Sequence, residues 1–250
     1  MIPKSGNRFS DKIMLQARAM LGTLPRALRW TLVALLALFA VEARAQTQVD
    51  LLLVLAVDTS GSVNQTRFEL QRQGYAAAFR HPRVLSAIRS GGSGAIAVTM
   101  TQWTGPALQV QVLPWTLIKD QGSADAFAAA IEDTPRQLFS GGTSISGAID
   151  HAMTLLPASP YRGIKRVIDV SGDGSNNRGR DVTAARDEAV RQGVVINGLP
   201  ILALEPYLDR YYYDQVIGGP GSFMIPAETY EKFAEAVLKK LVLEIAANER

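Results

Sequence analysis

The sequence predicts an α/β fold with a mostly parallel central sheet and one antiparallel edge strand. Three observations predict it. "DLLLVLAV" (Asp50–Val57) is apolar on both faces, as a central parallel strand should be, and "RVIDVS" (Arg166–Ser171) reads as a second buried strand. Strand-like and helix-like stretches alternate along the chain, the pattern of an α/β layering. "AIAVTMTQW" (Ala95–Trp103) and "ALQVQVLPW" (Ala107–Trp115) flank a short "TGP" and alternate with period two, which predicts an antiparallel hairpin.

The elements follow in order. Residues 1–45 read as an export leader: Arg26 and Arg29 precede the 12-residue stretch "WTLVALLALFAV", and "ARA" at Ala43–Ala45 is a small-x-small cleavage site. A membrane anchor is the rival reading. A span needs roughly 20 apolar residues, whereas this run stops at Glu42 and Arg44. The mature chain would begin at Gln46 and run to Arg250 as one domain, exported to the periplasm or secreted, with no stable membrane span. After the first strand, Asn64 is a suitable cap for a helix to Arg80, and Pro82 marks its end. The hairpin comes next. Ser123–Asp133 reads as a helix, and Gly141–Gly142 break the chain before another at Ser144–Leu155. "RVIDVS" precedes a helix over Asp181–Gln192, with Gly193 just past its end. "VVINGLPIL" (Val194–Leu202) reads as a strand and "SFMIP" (Ser222–Pro226) as a short one. The last helix, Ala227–Ala247, has apolar residues at Tyr230, Phe233, Ala234, Val237, Leu238, Leu241 and Ile245.

Charge excludes one class of partner. Of 26 Lys+Arg and 23 Asp+Glu, the leader holds seven and two, which leaves 19 and 21 in residues 46–250. A mature chain of net −2 has no general attraction to nucleic acid. The chain has no Cys, so it relies on its core rather than on disulfides.

The chemistry concentrates at strand ends. Asp58, Ser60 and Ser62 stand at alternate positions directly after the first strand. Ligands of open α/β sheets bind outside the carboxyl ends of strands. Carboxylate and hydroxyl oxygens without His or Cys select Mg²⁺, Mn²⁺ or Ca²⁺ over zinc or copper. Thr143, in "SGGTSISGA", and Asp173, in "VSGDGSNN", stand at two further loop tips. Asp58, Ser60, Ser62, Thr143 and Asp173 are therefore the candidate metal ligands. Read alone, Ser60 and Ser62 could simply cap the following helix, and Thr143 could cap its own.

In order and placement this set resembles the metal-ion-dependent adhesion site of the von Willebrand factor A domain family. The resemblance covers about residues 49–247, and an uncharacterised group of exported bacterial A-domain proteins is similar in "VIDVSGDG" and in Leu208–Pro226. It implies a doubly wound, Rossmann-like sheet with helices on both faces and with the first strand beside the "RVIDVS" strand. It also implies a Mg²⁺ (or Mn²⁺ or Ca²⁺) held by the five residues, with one position left for an Asp or Glu of a protein partner. The function expected is an exported, metal-dependent protein-binding module and not an enzyme.

Two other classes stay open: a metal-dependent hydrolase or phosphatase, and a structural A domain with a vestigial site. Against the former, Ser60 stands where dehalogenase-like phosphatases carry their second Asp. No G-x-x-x-x-G-K-[ST] loop or G-x-S-x-G elbow occurs either. Asp169, in mid-strand, needs a partner: a structural ion pair, or a place behind the metal ligands. Tyr211–Tyr213 cannot all face a core. They belong to a helix and Gly-rich turn docked at the sheet edge, or to a partner-binding surface.

Overall fold

The computed structural model describes residues 46–246. The leader, and with it the expected cleavage site, lies outside the described residues, as do positions 247–250. The five strands are β1 (Thr47–Asp58), β2 (Ile96–Trp103), β3 (Gln109–Ile118), β4 (Tyr161–Gly172) and β5 (Val195–Pro200). They form one sheet in the order β3-β2-β1-β4-β5. β1 runs parallel to β2 and β4, β5 parallel to β4, and β3 antiparallel to β2 at one edge. The expected sheet is therefore present, with β1 beside β4.

β1 shows why it is central. Leu51, Leu53, Leu55 and Val57 enter one core, and Leu52, Val54 and Ala56 enter the other. The period of two splits a continuous apolar run between two faces. On the first face pack α1 (Gln65–Arg80), α2 (Pro82–Ser90), α3 (Gln121–Asp133) and α7 (Phe233–Ala246). On the second pack α4 (Ile145–Leu155), α5 (Val182–Arg191) and α6 (Leu208–Tyr211). The helix after β1 thus lies on one face and the helix after β4 on the other. That divergence opens a crevice at the carboxyl ends of the two strands.

Two expectations are corrected and one is extended. α1 ends at Arg80, ahead of Pro82 as expected, but Pro82 also opens a further helix beyond those expected. It occupies the first turn of α2, where its missing N–H is not needed, and the His81 side chain caps that helix by accepting from Arg83 N. Ser222–Pro226 is not a strand. Gly219 and Gly221, just ahead of it, take φ of +93° and +72°, and the segment pairs with β5 only at the isolated bridge of Met224 with Gly198. The last helix does not begin at Ala227, because Ala227 bridges Ile201 in extended form. A 3₁₀ turn at Tyr230–Lys232 leads into α7. β2 and β3 pair with register shifts between Val98 and Met100 and between Met100 and Thr101, and β3 carries Pro114.

Asp169 lies in the α7 face of the sheet, fully buried. Lys240 Nζ is 2.7 Å from its Oδ1 and donates to Glu244 Oε1 at 2.5 Å. Asn197 Nδ2 also donates to Glu244 Oε1, at 2.8 Å. The structural ion-pair reading of Asp169 is the one found. Two carboxylates share one ammonium there, and burial, followed by Glu244, pushes the Asp169 carboxyl up.

Candidate metal centre

The loop after β1 is shaped by its own first side chain. Asp58 Oδ1 accepts from Ser60 N at 2.7 Å, closing a turn of the kind Asp favours. Val63 N then donates to Ser60 O. Capping of α1 falls to Asn64, whose side chain accepts from Arg67 N. Ser60 and Ser62 are thereby free of the capping role and face each other, Oγ to Oγ, at 3.1 Å.

Asp173 stands one residue past β4. Its backbone N donates to Asp58 Oδ2 at 3.4 Å, and its Oδ1 accepts from Ser62 Oγ at 2.5 Å. Asp58, Ser60, Ser62 and Asp173 are thus joined by hydrogen bonds. Gly172 has no room for a side chain: a Cβ there would lie 3.0 Å from both Asp58 Oδ2 and the Tyr212 hydroxyl.

Thr143 reaches the same crevice from the α3–α4 loop. Its carbonyl accepts from Asn177 N and Arg178 N, and its N–H donates to Asn177 Oδ1 at 3.0 Å. Ser144 N donates to Thr104 O, and Ser144 caps α4 through Gly147 N, so Thr143 is not the cap. Gly141 and Gly142, with φ of +126° and +84°, make the turn that places it. A Cβ on Gly174 would lie 3.7 Å from Thr143 Oγ1, which puts that hydroxyl against the Asp173 loop.

The electrostatics favour a cation. Asp58 is wholly buried, and burial first, then the neighbouring Asp173, pushes its carboxyl up to about 7. The buried Tyr212 hydroxyl, which lies against Gly172 as Asp58 Oδ2 does, has no hydrogen-bond partner among the described residues. Convergent serine oxygens, two facing acids and this unspent hydroxyl fit a hard divalent ion. No group of three or more His, Cys, Asp or Glu placed for a metal occurs among the described residues. The donor set here is two carboxylates with hydroxyls.

Sequence reasoning missed several neighbours. Tyr230 donates its hydroxyl to Asp173 Oδ2 at 2.8 Å. Arg67 Nη1 lies 3.6 Å from the same oxygen and donates to Ser62 O. Arg136 spans the loop by donating to Thr59 O and Ser60 O at 2.9 and 3.1 Å. Glu205 accepts from Ser175 N beside Gly174. No periodicity or spacing marks these residues, since each comes from a different loop or helix turn. The three tyrosines divide: Tyr212 is core beneath the site, Tyr211 accepts from Asn176 N, and Tyr213 is exposed. His81 and His151 bond to none of the five residues.

Comparison with solved structures identifies the fold. Proximal thread matrix protein 1 of the mussel byssus, in the form with a zinc-occupied MIDAS motif, aligns with a TM-score of 0.57 at 14% identity over 80% of this chain and 46% of that one. The pilus adhesin SpaC of Lactobacillus rhamnosus GG aligns with a TM-score of 0.56 at 16% identity, over 80% and 31%. A von Willebrand factor type A protein of Catenulispora acidiphila gives 0.55 at 16%, over 80% and 43%. This chain spans less than half the length of each. At these identities the likeness establishes the fold alone. No curated protein matches the chain in sequence. The fold is of the von Willebrand factor A type, and residues 48–249 match the profile of one family, so the chain belongs to the family described as protein of unknown function (DUF1194).

Proposed function

We propose that residues 46–250 form one exported module that binds a protein partner through a divalent ion, Mg²⁺ or else Mn²⁺ or Ca²⁺. Asp58, Ser60, Ser62, Thr143 and Asp173 hold the ion. The observation that carries this reading is the convergence of Asp58 and Asp173 from adjacent parallel strands, with serine hydroxyls between them. Two buried carboxylates repel unless a cation lies between them. An ion with so few anionic ligands keeps affinity for one more carboxylate, and an Asp or Glu of the partner supplies it. The adhesin and byssal-matrix proteins of the same fold support a binding rather than a chemical role, and an envelope or external location. Among the described residues no helix is long and apolar enough to cross a membrane. Release of the exported module from its leader requires cleavage after Ala45, which mass spectrometry of the exported form tests by finding Gln46 first.

Hydrolysis finds little support, because neither histidine is placed to activate a nucleophile at the cluster. Calorimetry with Mg²⁺, Mn²⁺ and Ca²⁺ tests the central claim. Affinity should fall at about 10⁻⁴–10⁻³ M, as in loosely built extracellular sites. Ion at 100 Kd should stabilise the fold by about 2.7 kcal/mol. No heat and no melting shift over that range would refute the reading, and a vestigial site would then stand.

A further inference from the structure

The two flanks of the metal site differ in character. On the flank made by the β2–β3 turn, the α3–α4 loop and the β4–α5 loop, Leu108 and Phe139 are 42% and 60% exposed. Leu108 lies against Gly141, where a Cβ would meet its Cδ1 at 2.6 Å. The Arg178 side chain lies against Gly142 in the same way, at 2.5 Å from its Cγ. The Arg136 guanidinium stacks 4.9 Å from the centre of the Phe139 ring while it holds the Ser60 carbonyl. These contacts make one continuous patch that runs from Leu108 across the two glycines to Thr143.

The patch has a distinct charge. Residues 104–108 and 134–144 contain no Asp or Glu. In the β4–α5 loop, Asp173 belongs to the metal cluster and Asp181 caps α5. Arg178 is exposed beside these apolar side chains and enters no ion pair among the described residues, whereas the half-buried Arg136 spends its guanidinium on the carbonyls of Thr59, Ser60 and Leu138. The opposite flank is mixed: a cavity of about 450 Å³ beside Arg67 carries Glu231 on its wall. Glu205 touches the β4–α5 loop at Ser175, where its carboxylate accepts from the backbone N and the hydroxyl. An apolar centre with a cationic rim is complementary to a negatively charged segment bearing an apolar side chain.

We infer that this flank is a docking surface for an acidic partner segment, one with an aliphatic or aromatic residue and a second acid close to the carboxylate that reaches the metal. The inference rests on the metal-dependent binding reading above. The apolar residue seats between Leu108 and Phe139. The second acid meets Arg178, while Arg136 is held in place by the loop it spans. Metal supplies attachment, and this patch supplies the choice of partner.

The test is selection of random dodecapeptides displayed on phage against the wild-type domain in millimolar Mg²⁺, followed by anisotropy on the enriched peptides. Enrichment of an acid followed within two or three positions by an apolar residue and another acid is expected. Binding of those peptides should be lost in EDTA. It should weaken about tenfold in Phe139→Ser and in Arg178→Glu, a loss typical of one interface anchor. Both side chains are exposed, so both variants should keep the wild-type melting response to Mg²⁺, which shows that the fold and the ion site are intact. Peptides that need Mg²⁺ but are indifferent to both variants would overturn the docking surface and leave the metal reading standing. Peptides indifferent to EDTA would overturn the metal reading instead. No enrichment of acidic-apolar peptides would also overturn the docking surface.

Discussion

Asp58 and Asp173 come from adjacent strands, and the backbone N–H of Asp173 points at Asp58 Oδ2 from 3.4 Å. The two acids are not equivalent. Asp58 accepts from the backbone N–H groups of Ser60 and Asp173 and from the Ser60 side chain, whereas Asp173 accepts from the Ser62 and Tyr230 hydroxyls and has Arg67 close by.

That difference separates two variants. Asp58→Asn removes a buried charge that no side-chain cation contacts, so the metal-free protein should gain stability at pH 8, by on the order of 2 kcal/mol. Asp173→Asn weakens the two hydroxyl hydrogen bonds and leaves Arg67 without its partner, so the metal-free protein should lose about 1–2 kcal/mol. Both should lose the melting shift caused by Mg²⁺. Denaturant titrations of each variant, with and without ion, check this, and a wild-type Mg²⁺ response in either would exclude that residue as a ligand.

If the ion binds as proposed, Arg67 should weaken its affinity. Its guanidinium already offsets part of the Asp173 charge, so an arriving ion meets a resident cation. Arg67→Met keeps much of the side-chain volume and should tighten Mg²⁺ by about threefold to tenfold, since a partly exposed charge acts at a discount. Calorimetry decides the sign, and weaker binding would mean that Arg67 orients Asp173 for the ion.

The pH dependence has a definite sign. The folded pKa of Asp58, about 7, lies above its ordinary value of 3.8. Its favourable contribution is therefore complete below about 3.8 and is lost as pH rises through about 7. Asp169 is shifted in the same direction, and His151, lowered by burial, acts in the opposite sense. The stability difference between wild type and Asp58→Asn isolates the one group. That difference should grow from pH 5 to pH 8 without metal, and Mg²⁺ affinity should fall as pH drops below about 7.

The buried triad gives a prediction away from the site. Lys240→Met strands Asp169 and Glu244 without their cation, which should cost about 3–5 kcal/mol. Adding Asp169→Leu and Glu244→Leu to it should recover most of that loss. Thermal unfolding of the single and triple variants measures both.

The sheet was legible where one pattern left one solution. The β1 run, buried on both faces, could only be central, and the alternating oxygen residues at its end pointed to the crevice. Glycines beside Thr143 marked a tight turn. Pro82 was ambiguous, because the same ring that ends one helix can begin another. Ser222–Pro226 has strand composition, yet the backbone of Gly219 and Gly221 prevents a ladder. Arg136 and Tyr230 left no trace, because only tertiary packing brings them to the loop after β1 and to Asp173, and nothing in the spacing of Arg67 marks its approach to Asp173.

The margins of the sheet carry a consequence of their own. An unprotected strand offers its free N–H and C=O groups to any neighbouring molecule as a template. At one margin Pro114 removes a donor from β3, and the register shifts against β2 distort its pairing. At the other, the Gly218–Ala227 stretch covers β5 with a few separated bridges. It occupies the hydrogen-bonding groups of Ile196 and Gly198 without presenting a new straight strand outward. The same glycines that deny this segment a place in the sheet thus leave β5 no free, straight edge on which a second copy could build a ladder.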